Sequence, residues 1–152
     1  MIRNQTELNR VSNDMEDVWI SVFPVLKQKK LLLNQWKSMK NLTIGINALN
    51  GVSVLELNGL VALERVVIMR GGLSGGSGLV KVTNCANLMS IDIGEFAFIK
   101  YKSLEIVDLP LLQNVKIENN AFQKTQSIKF DSNREKELII RLGITSIHST
   151  GK

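Results

Sequence analysis

The chain has 152 residues, of which 44% are hydrophobic and 22% are charged, and its formal net charge is +5 at pH 7. This length and balance are typical of a single globular domain that can bury a core. Apolar runs such as residues 31–33 are short, whereas a membrane helix needs about 20 apolar residues, so the sequence predicts no membrane span.

The first twenty residues contain no continuous apolar stretch and several acidic residues, so we expect no secretory signal there. Residues 1–14 are predicted to form a polar entry or capping segment. The chain has one cysteine, Cys85, and one histidine, His148, so neither an internal disulfide nor a zinc site is predicted. We expect no cofactor and no metal.

From Met15 onward, one spacing of apolar residues recurs at steps of 24, 24, 25 and 24 residues. The clearest copy, residues 112–122, fits the pattern L-x-x-L-x-L-x-x-N-x-L of a leucine-rich repeat. The five copies begin at Met15, Met39, Leu63, Leu88 and Leu112.

Each repeat also contains a second short pair of apolar residues, with one residue between them that points the other way. These pairs are Leu31 and Leu33, Leu55 and Leu57, Val80 and Val82, Leu104 and Ile106, and Ile128 and Phe130. Stacked coils would place equivalent strands about 4.8 Å apart in two parallel ladders around an apolar interior. The sequence therefore predicts a leucine-rich-repeat solenoid over residues 15–130, a β-rich right-handed superhelix of about five coils with little regular helix.

The pattern weakens after Phe130, and residues 131–152 are predicted to form a degenerate closing coil and a tail. Ile140, Leu142 and Ile147 return to the repeat frame after a step of 25 residues. The earlier step of 25 is explained by residues 74–79, a glycine-rich turn that is one residue longer than its counterpart. A phosphate-binding loop over residues 70–78 is the alternative, although the run lacks a G-K-[ST] ending and joins two strands.

Each repeat is thus predicted to contain two short strands. In the first strand of each repeat, one residue lies between two inward-pointing neighbours and is predicted to be exposed. Outward residues from separate coils would form one candidate partner-binding face, consisting of Trp19, Thr43, Arg65, Val67, Met69, Asp92, Lys116 and Glu118. Exposed aromatic and thioether side chains are suited to anchor an interface. For Trp19, the alternative is that its indole covers the first coil.

The stretch between Asp17 and Glu56 contains no acidic residue and carries five lysines, which are Lys27, Lys29, Lys30, Lys37 and Lys40. An alternative function is therefore the binding of nucleic acid or an anionic surface through this basic segment. Trp36 falls at a predicted core position, which leaves few aromatic side chains to stack on bases. The acids Asp92, Glu95, Glu105 and Glu118 are not brought by spacing into one pocket with a nucleophile or histidine, so we predict no catalysis.

Three segments, residues 44–49 (IGINAL), 93–98 (IGEFAF) and 117–122 (IENNAF), resemble the BspA-like leucine-rich repeats of bacterial and protist surface proteins. The resemblance covers about residues 15–130. It implies a curved solenoid without catalysis that binds a protein or a surface through its exposed strand face. The resemblance does not identify the partner. It suggests a cell-surface or secreted protein, whereas the sequence shows no secretory signal, so the compartment stays open.

Overall fold

The computed structural model describes residues 8, 10, 12–21, 29–131 and 138–143. This part of the chain is a parallel-strand β-solenoid of about five turns with almost no helix. Its strands are β1 (Asp17–Ile20), β2 (Lys30–Leu32), β3 (Asn41–Ile44), β4 (Val54–Asn58), β5 (Arg65–Ile68), β6 (Leu79–Thr83), β7 (Ser90–Ile93), β8 (Ser103–Val107), β9 (Asn114–Ile117), β10 (Ser127–Asp131) and β11 (Ile139–Leu142). The odd-numbered strands form the front sheet, and the even-numbered strands form the back sheet.

Equivalent residues of successive coils pair directly, as the repeat spacing predicts. In the front sheet Leu42 pairs with Val66, Val66 with Ile91, and Ile91 with Val115. All of these side chains are buried. Each step of 24 or 25 residues is therefore the number of residues in one coil.

The interior between the two sheets is apolar. In the first four repeats the residue that follows the second strand is fully buried, and these residues are Trp36, Leu60, Cys85 and Leu109. Each buried Leu, Ile or Val contributes about 1.5–3 kcal/mol through removal from water. Burial raises the pKa of the Cys85 thiol, so Cys85 acts as a small neutral hydrophobic residue.

The turns after β3, β5, β7 and β9 each contain left-handed residues two positions apart. The first of these positions holds Asn47, Gly71, Phe96 or Asn120, and each has a φ between 52° and 66°. Glycine and asparagine adopt this conformation at the lowest cost, which explains their recurrence there. Phe96 is the exception, and the guanidinium of Arg70 lies 5.5 Å from the centre of its ring.

The glycine-rich turn presses its backbone against the preceding coil. A β-carbon on Gly76 would overlap the carbonyl oxygen of Val52, and one on Gly78 would overlap the carbonyl oxygen of Ser53. Close packing of coils accounts for these glycines without a phosphate ligand.

Tyr101 joins two coils that are not neighbours. Its buried hydroxyl donates a hydrogen bond to the carbonyl oxygen of Val52 at 2.5 Å, across the coil that contains Gly76. The Tyr101 ring also packs edge-on against Phe98 with 5.0 Å between ring centres. Burial raises the pKa of Tyr101 well above its usual value, so the hydroxyl remains a donor.

Substitution of Tyr101 by phenylalanine should lower the free energy of unfolding by about 1–2 kcal/mol, because the Val52 carbonyl loses its buried donor. Urea unfolding followed by circular dichroism measures this change. Thr43→Val, which removes a hydroxyl from a half-exposed position, should change the free energy by less than about 0.5 kcal/mol. Equal effects of the two variants would contradict the role of the hydrogen bond.

The end coils depart from the predicted burial. Met15 begins the first copy of the repeat but is 37% exposed, because β1 is the first strand of the described residues and these residues place a coil on one side of Met15 only. At the other end Ile140 pairs with Val115 and Leu142 with Ile117, in the expected frame. Both are exposed, because no further strand covers β11 within the part of the chain that the structure describes. The first copy of the repeat also includes Phe23 and Val25 in its predicted frame. These two residues and Ile147 lie outside the described residues.

Candidate functional site

The outward row of the front sheet is continuous across the coils. Trp19 pairs with Thr43, Thr43 with Val67, Val67 with Asp92, and Asp92 with Lys116. This register follows from the alternation of inward and outward residues within each strand. Arg65 lies in the adjacent outward row, and the strands that carry all these residues are held by the buried core beneath them.

A groove of about 240 Å³ opens on the front sheet near the carboxyl ends of β5, β7 and β9. Five of the predicted face residues line it, namely Val67, Met69, Asp92, Lys116 and Glu118. Trp19, Thr43 and Arg65 are on the same sheet but do not line the groove. Sequence reasoning missed Ile46, which is 52% exposed and lines the groove from the turn after β3.

Gly94 shapes the groove. It follows β7 between Met69 and Glu118 of the neighbouring coils, and it leaves that position without a side chain. A β-carbon there would lie 2.8 Å from the backbone nitrogen of Arg70 and 2.9 Å from the carbonyl carbon of Met69. The glycine in this row is visible in the sequence, but the close approach of its backbone to Arg70, which sets the depth of the groove, is not.

Ion pairs surround the apolar floor. Arg65 Nη2 lies 2.8 Å from Asp92 Oδ2, and Lys116 Nζ lies 2.5 Å from Glu118 Oε1. The hydrogen bond and charge of Glu118 raise the pKa of Lys116. The register places Asp92 beside Lys116, but the ion pair of Asp92 is with Arg65, whose longer side chain reaches diagonally from the preceding coil.

The groove carries no net charge. Its lining includes two cations, Arg70 and Lys116, and two anions, Asp92 and Glu118. Arg70 Nε also lies 3.8 Å from Glu95 Oε2. Because the charges balance and are already paired, the apolar floor is the feature available to a ligand.

Trp19 lies across the next coil of the same sheet. Its Nε1 is 3.3 Å from the position that a β-carbon on Gly45 would occupy. The side chain is 53% exposed, while Leu8 of the entry segment is only 3% exposed and belongs to the core cluster. Leu8 covers the apolar interior, and the Trp19 indole remains on the front face.

Trp19→Ala should reduce the free energy of unfolding by less than about 1 kcal/mol, because half of the side chain already contacts water. Thermal melting measures the effect. Trp36→Ala, at a fully buried tryptophan, is the matched comparison and should cost about 3–5 kcal/mol. A loss at Trp19 as large as that at Trp36 would instead favour its role as a cover for the first coil.

Three described lysines of the predicted basic segment have polar partners. Lys30 Nζ lies 2.8 Å from Glu56, Lys40 Nζ lies 3.0 Å from Glu16, and Lys37 Nζ donates to the carbonyl oxygen of Gly59. Lys30 opens β2 in the back sheet, whereas Lys40 immediately precedes β3 in the front sheet.

The two acids that pair with these lysines come from other coils. The carboxylate of Glu16 raises the pKa of Lys40. Lys29 is exposed, and Lys27 lies outside the described residues.

The back sheet has its own outward row, in which Glu56, Lys81, Glu105 and Lys129 follow one another in register. Lys81 Nζ lies 3.5 Å from Glu105 Oε2. A polar groove of about 210 Å³ at the end of this row is lined by Asn58, Asn84 and Asp108, among others. Hydrogen bonds from Thr83 and Asn84 to the Asn58 side chain tie two coils together here.

Within the described part of the chain, no three His, Cys, Asp or Glu side chains are grouped in a way that could hold a metal ion. In the same residues no helix has the length and apolar character needed to cross a membrane. Comparisons of the chain with protein-family models, with curated proteins and with solved structures gave no match.

Proposed function

We propose that this chain is a leucine-rich-repeat solenoid of the BspA-like type and that it acts as a non-enzymatic protein-interaction or surface-adhesion module. The partner binds the front sheet. The observation that carries the proposal is the apolar groove between β5, β7 and β9, which is built from side chains of successive coils. The repeat spacing and the three segments similar to that family support the identification of the repeats.

Apolar side chains are exposed together on the front face. Val67 and Met69 are half-exposed in neighbouring rows, Ile46 borders them, and Trp19 lies two coils away. Protein interfaces commonly depend on a few aromatic and thioether anchors that lose water on binding. A rigid sheet also suits binding because little conformational entropy is lost on association.

The chemistry of the groove favours binding over catalysis. Its described lining consists of Ile46, Val67, Ile68, Met69, Arg70, Asp92, Ile93, Gly94, Lys116 and Glu118. This set contains no histidine, cysteine, serine or tyrosine that could serve as a nucleophile or as a base near neutral pH. The carboxylates of Asp92 and Glu118 are held in ion pairs.

Selection of a displayed random peptide library on the immobilised chain tests the proposal. Enriched peptides should bind the intact chain and lose at least about tenfold in affinity on a Trp19→Thr, Val67→Thr, Met69→Gln variant, because about 1.4 kcal/mol of anchor contacts is removed. A control variant, Val61→Thr with Leu111→Gln, changes two exposed apolar residues away from the groove and should bind normally. Peptides that bind the groove variant as well as the intact chain would refute the front-face assignment.

A further inference from the structure

The chain contains two asparagines that are each followed by glycine, Asn50-Gly51 and Asn58-Gly59. The side-chain amide of an asparagine can be attacked by the backbone nitrogen of the next residue. Glycine hinders this attack least, because it has no β-carbon. An intramolecular reaction of this kind is fast only where the chain can bring the two reacting atoms together, so the fold decides which of the two sequences reacts.

The second sequence is held by the back sheet. Asn58 is the last residue of β4 and pairs with Thr83 of β6. The backbone nitrogen of Gly59, which would be the nucleophile, donates a hydrogen bond to the carbonyl oxygen of Thr83 at 3.1 Å. The backbone nitrogen of Asn58 donates to Asn34 Oδ1 at 3.4 Å. An attack by Gly59 would therefore have to break the end of the ladder between β4 and β6.

The first sequence lies in a turn. Asn50 and Gly51 are both exposed to solvent, between β3 and β4. Ser74, the counterpart of Asn50 in the next coil, donates from its backbone nitrogen and from its hydroxyl to Asn50 Oδ1, each at 3.1 Å. Donors on this oxygen stabilise the negative charge that develops there when a nucleophile adds to the amide carbon.

The two amides themselves are similar, because Asn58 Oδ1 also accepts two hydrogen bonds, from Thr83 and Asn84. The sites differ in their backbone. Asn58 ends a paired strand and is partly buried, whereas Asn50 is in an exposed turn. The difference in reactivity should therefore come from the freedom of the backbone and not from the side chain.

We propose that Asn50 is a site of spontaneous deamidation through a succinimide, and that the back sheet protects Asn58 from the same reaction. The nitrogen of Gly51 forms a bond to Asn50 Cγ, the bond from Cγ to Nδ2 breaks, and Nδ2 leaves as ammonia with the proton that the Gly51 nitrogen gives up. Water from the solvent then opens the ring at either of its carbonyls. The products are aspartate and isoaspartate at residue 50.

The isoaspartate product should disturb the stacking of coils. Its main chain runs through the β-carbon and is therefore longer at residue 50. The next coil leaves little room for this change, because a β-carbon on Gly75 would overlap the carbonyl oxygen of Asn50. The aspartate product keeps the original main chain and an oxygen that can accept from Ser74.

Incubation of the full 152-residue chain in neutral buffer, followed by peptide mapping with mass spectrometry, tests the proposal. In the folded chain Asn50 should deamidate at least about tenfold faster than Asn58, because the ladder restrains the reacting atoms of Asn58 and Gly59. In guanidinium chloride at a concentration that unfolds the chain, the two rates should agree within about twofold, since the same pair of residues then reacts without restraint. Equal rates in the folded chain, or a faster reaction at Asn58, would overturn the proposal.

A substitution of the attacking residue tests the route. Gly51→Ala adds a β-carbon beside the nucleophile and should slow deamidation of Asn50 at least about tenfold. Ser77→Ala, at an exposed residue in the corresponding turn of the next coil, is the control and should leave the rate unchanged. Circular dichroism verifies that both variants are folded. An unchanged rate in folded Gly51→Ala, or aspartate formed without any isoaspartate, would reject the succinimide.

Discussion

Replacement of Ile93 by aspartate is expected to unfold the solenoid or to abolish its cooperative melting. Ile93 is only 3% exposed and pairs with Ile68 on one side and Ile117 on the other. Among the described residues the apolar interior holds no cation to pair with a carboxylate at this position, and an unpaired buried charge costs several kcal/mol. Since domains of this size are stable by about 5–15 kcal/mol, the loss should approach the whole stability of the fold.

Circular dichroism and thermal melting measure the effect of Ile93→Asp. Thr43→Asp introduces the same group at an outward, half-exposed position of the same sheet and should lower the melting temperature by only a few degrees. A melt of Ile93→Asp that is cooperative and unchanged within a few degrees would show that Ile93 does not face the interior.

Gly76→Ala should also be strongly destabilising, with an expected loss of about 3 kcal/mol in the free energy of unfolding. The new methyl group would overlap the carbonyl oxygen of Val52 and would lie 2.7 Å from its carbonyl carbon. Both are backbone atoms, so no rotamer change can relieve the overlap and the two coils must separate. That separation would also break the hydrogen bond from Tyr101 to Val52.

Urea unfolding of Gly76→Ala and of Gly76→Ala with Tyr101→Phe measures whether the two effects are coupled. If the coil separation already breaks the hydrogen bond, the second substitution should add less than about 0.5 kcal/mol. Ser77→Ala, at the exposed neighbour in the same turn, is the control and should be close to neutral. A Gly76→Ala variant as stable as the parent chain would contradict the close packing of these coils.

The stacking of coils could be predicted from the sequence because burial follows the strand period. Residues such as Leu42, Val66 and Ile91 recur at one step, and the register places them as neighbours. The exposure of Met15 and Ile140 could not be predicted, since the repeat frame is the same in a central coil and in an end coil. The left-handed φ of Phe96 was also unforeseen, because phenylalanine gives no local signal for that conformation.

The rows of the candidate face could be predicted for the same reason, but the groove could not. Its depth depends on the close approach of Gly94 to the Arg70 backbone and on the position of Ile46 in a turn. The pairing of Lys30 and Lys40 was equally hidden in the sequence. The sequence around Lys30 and Lys40 contains no acidic residue. In the folded chain, however, acidic residues of other coils pair with both lysines.

The most direct test of the stacked, in-register coils is disulfide formation between pairs of engineered cysteines on the outward row. Thr43 and Val67 are paired neighbours with Cα atoms about 4.8 Å apart. The variant Thr43→Cys with Val67→Cys should therefore form an intramolecular disulfide and lose both engineered thiols. Thr43 and Asp92 are two strands apart, at about 9.6 Å, so Thr43→Cys with Asp92→Cys should retain its free thiols. Bridging of the second pair, or failure of the first, would contradict the account.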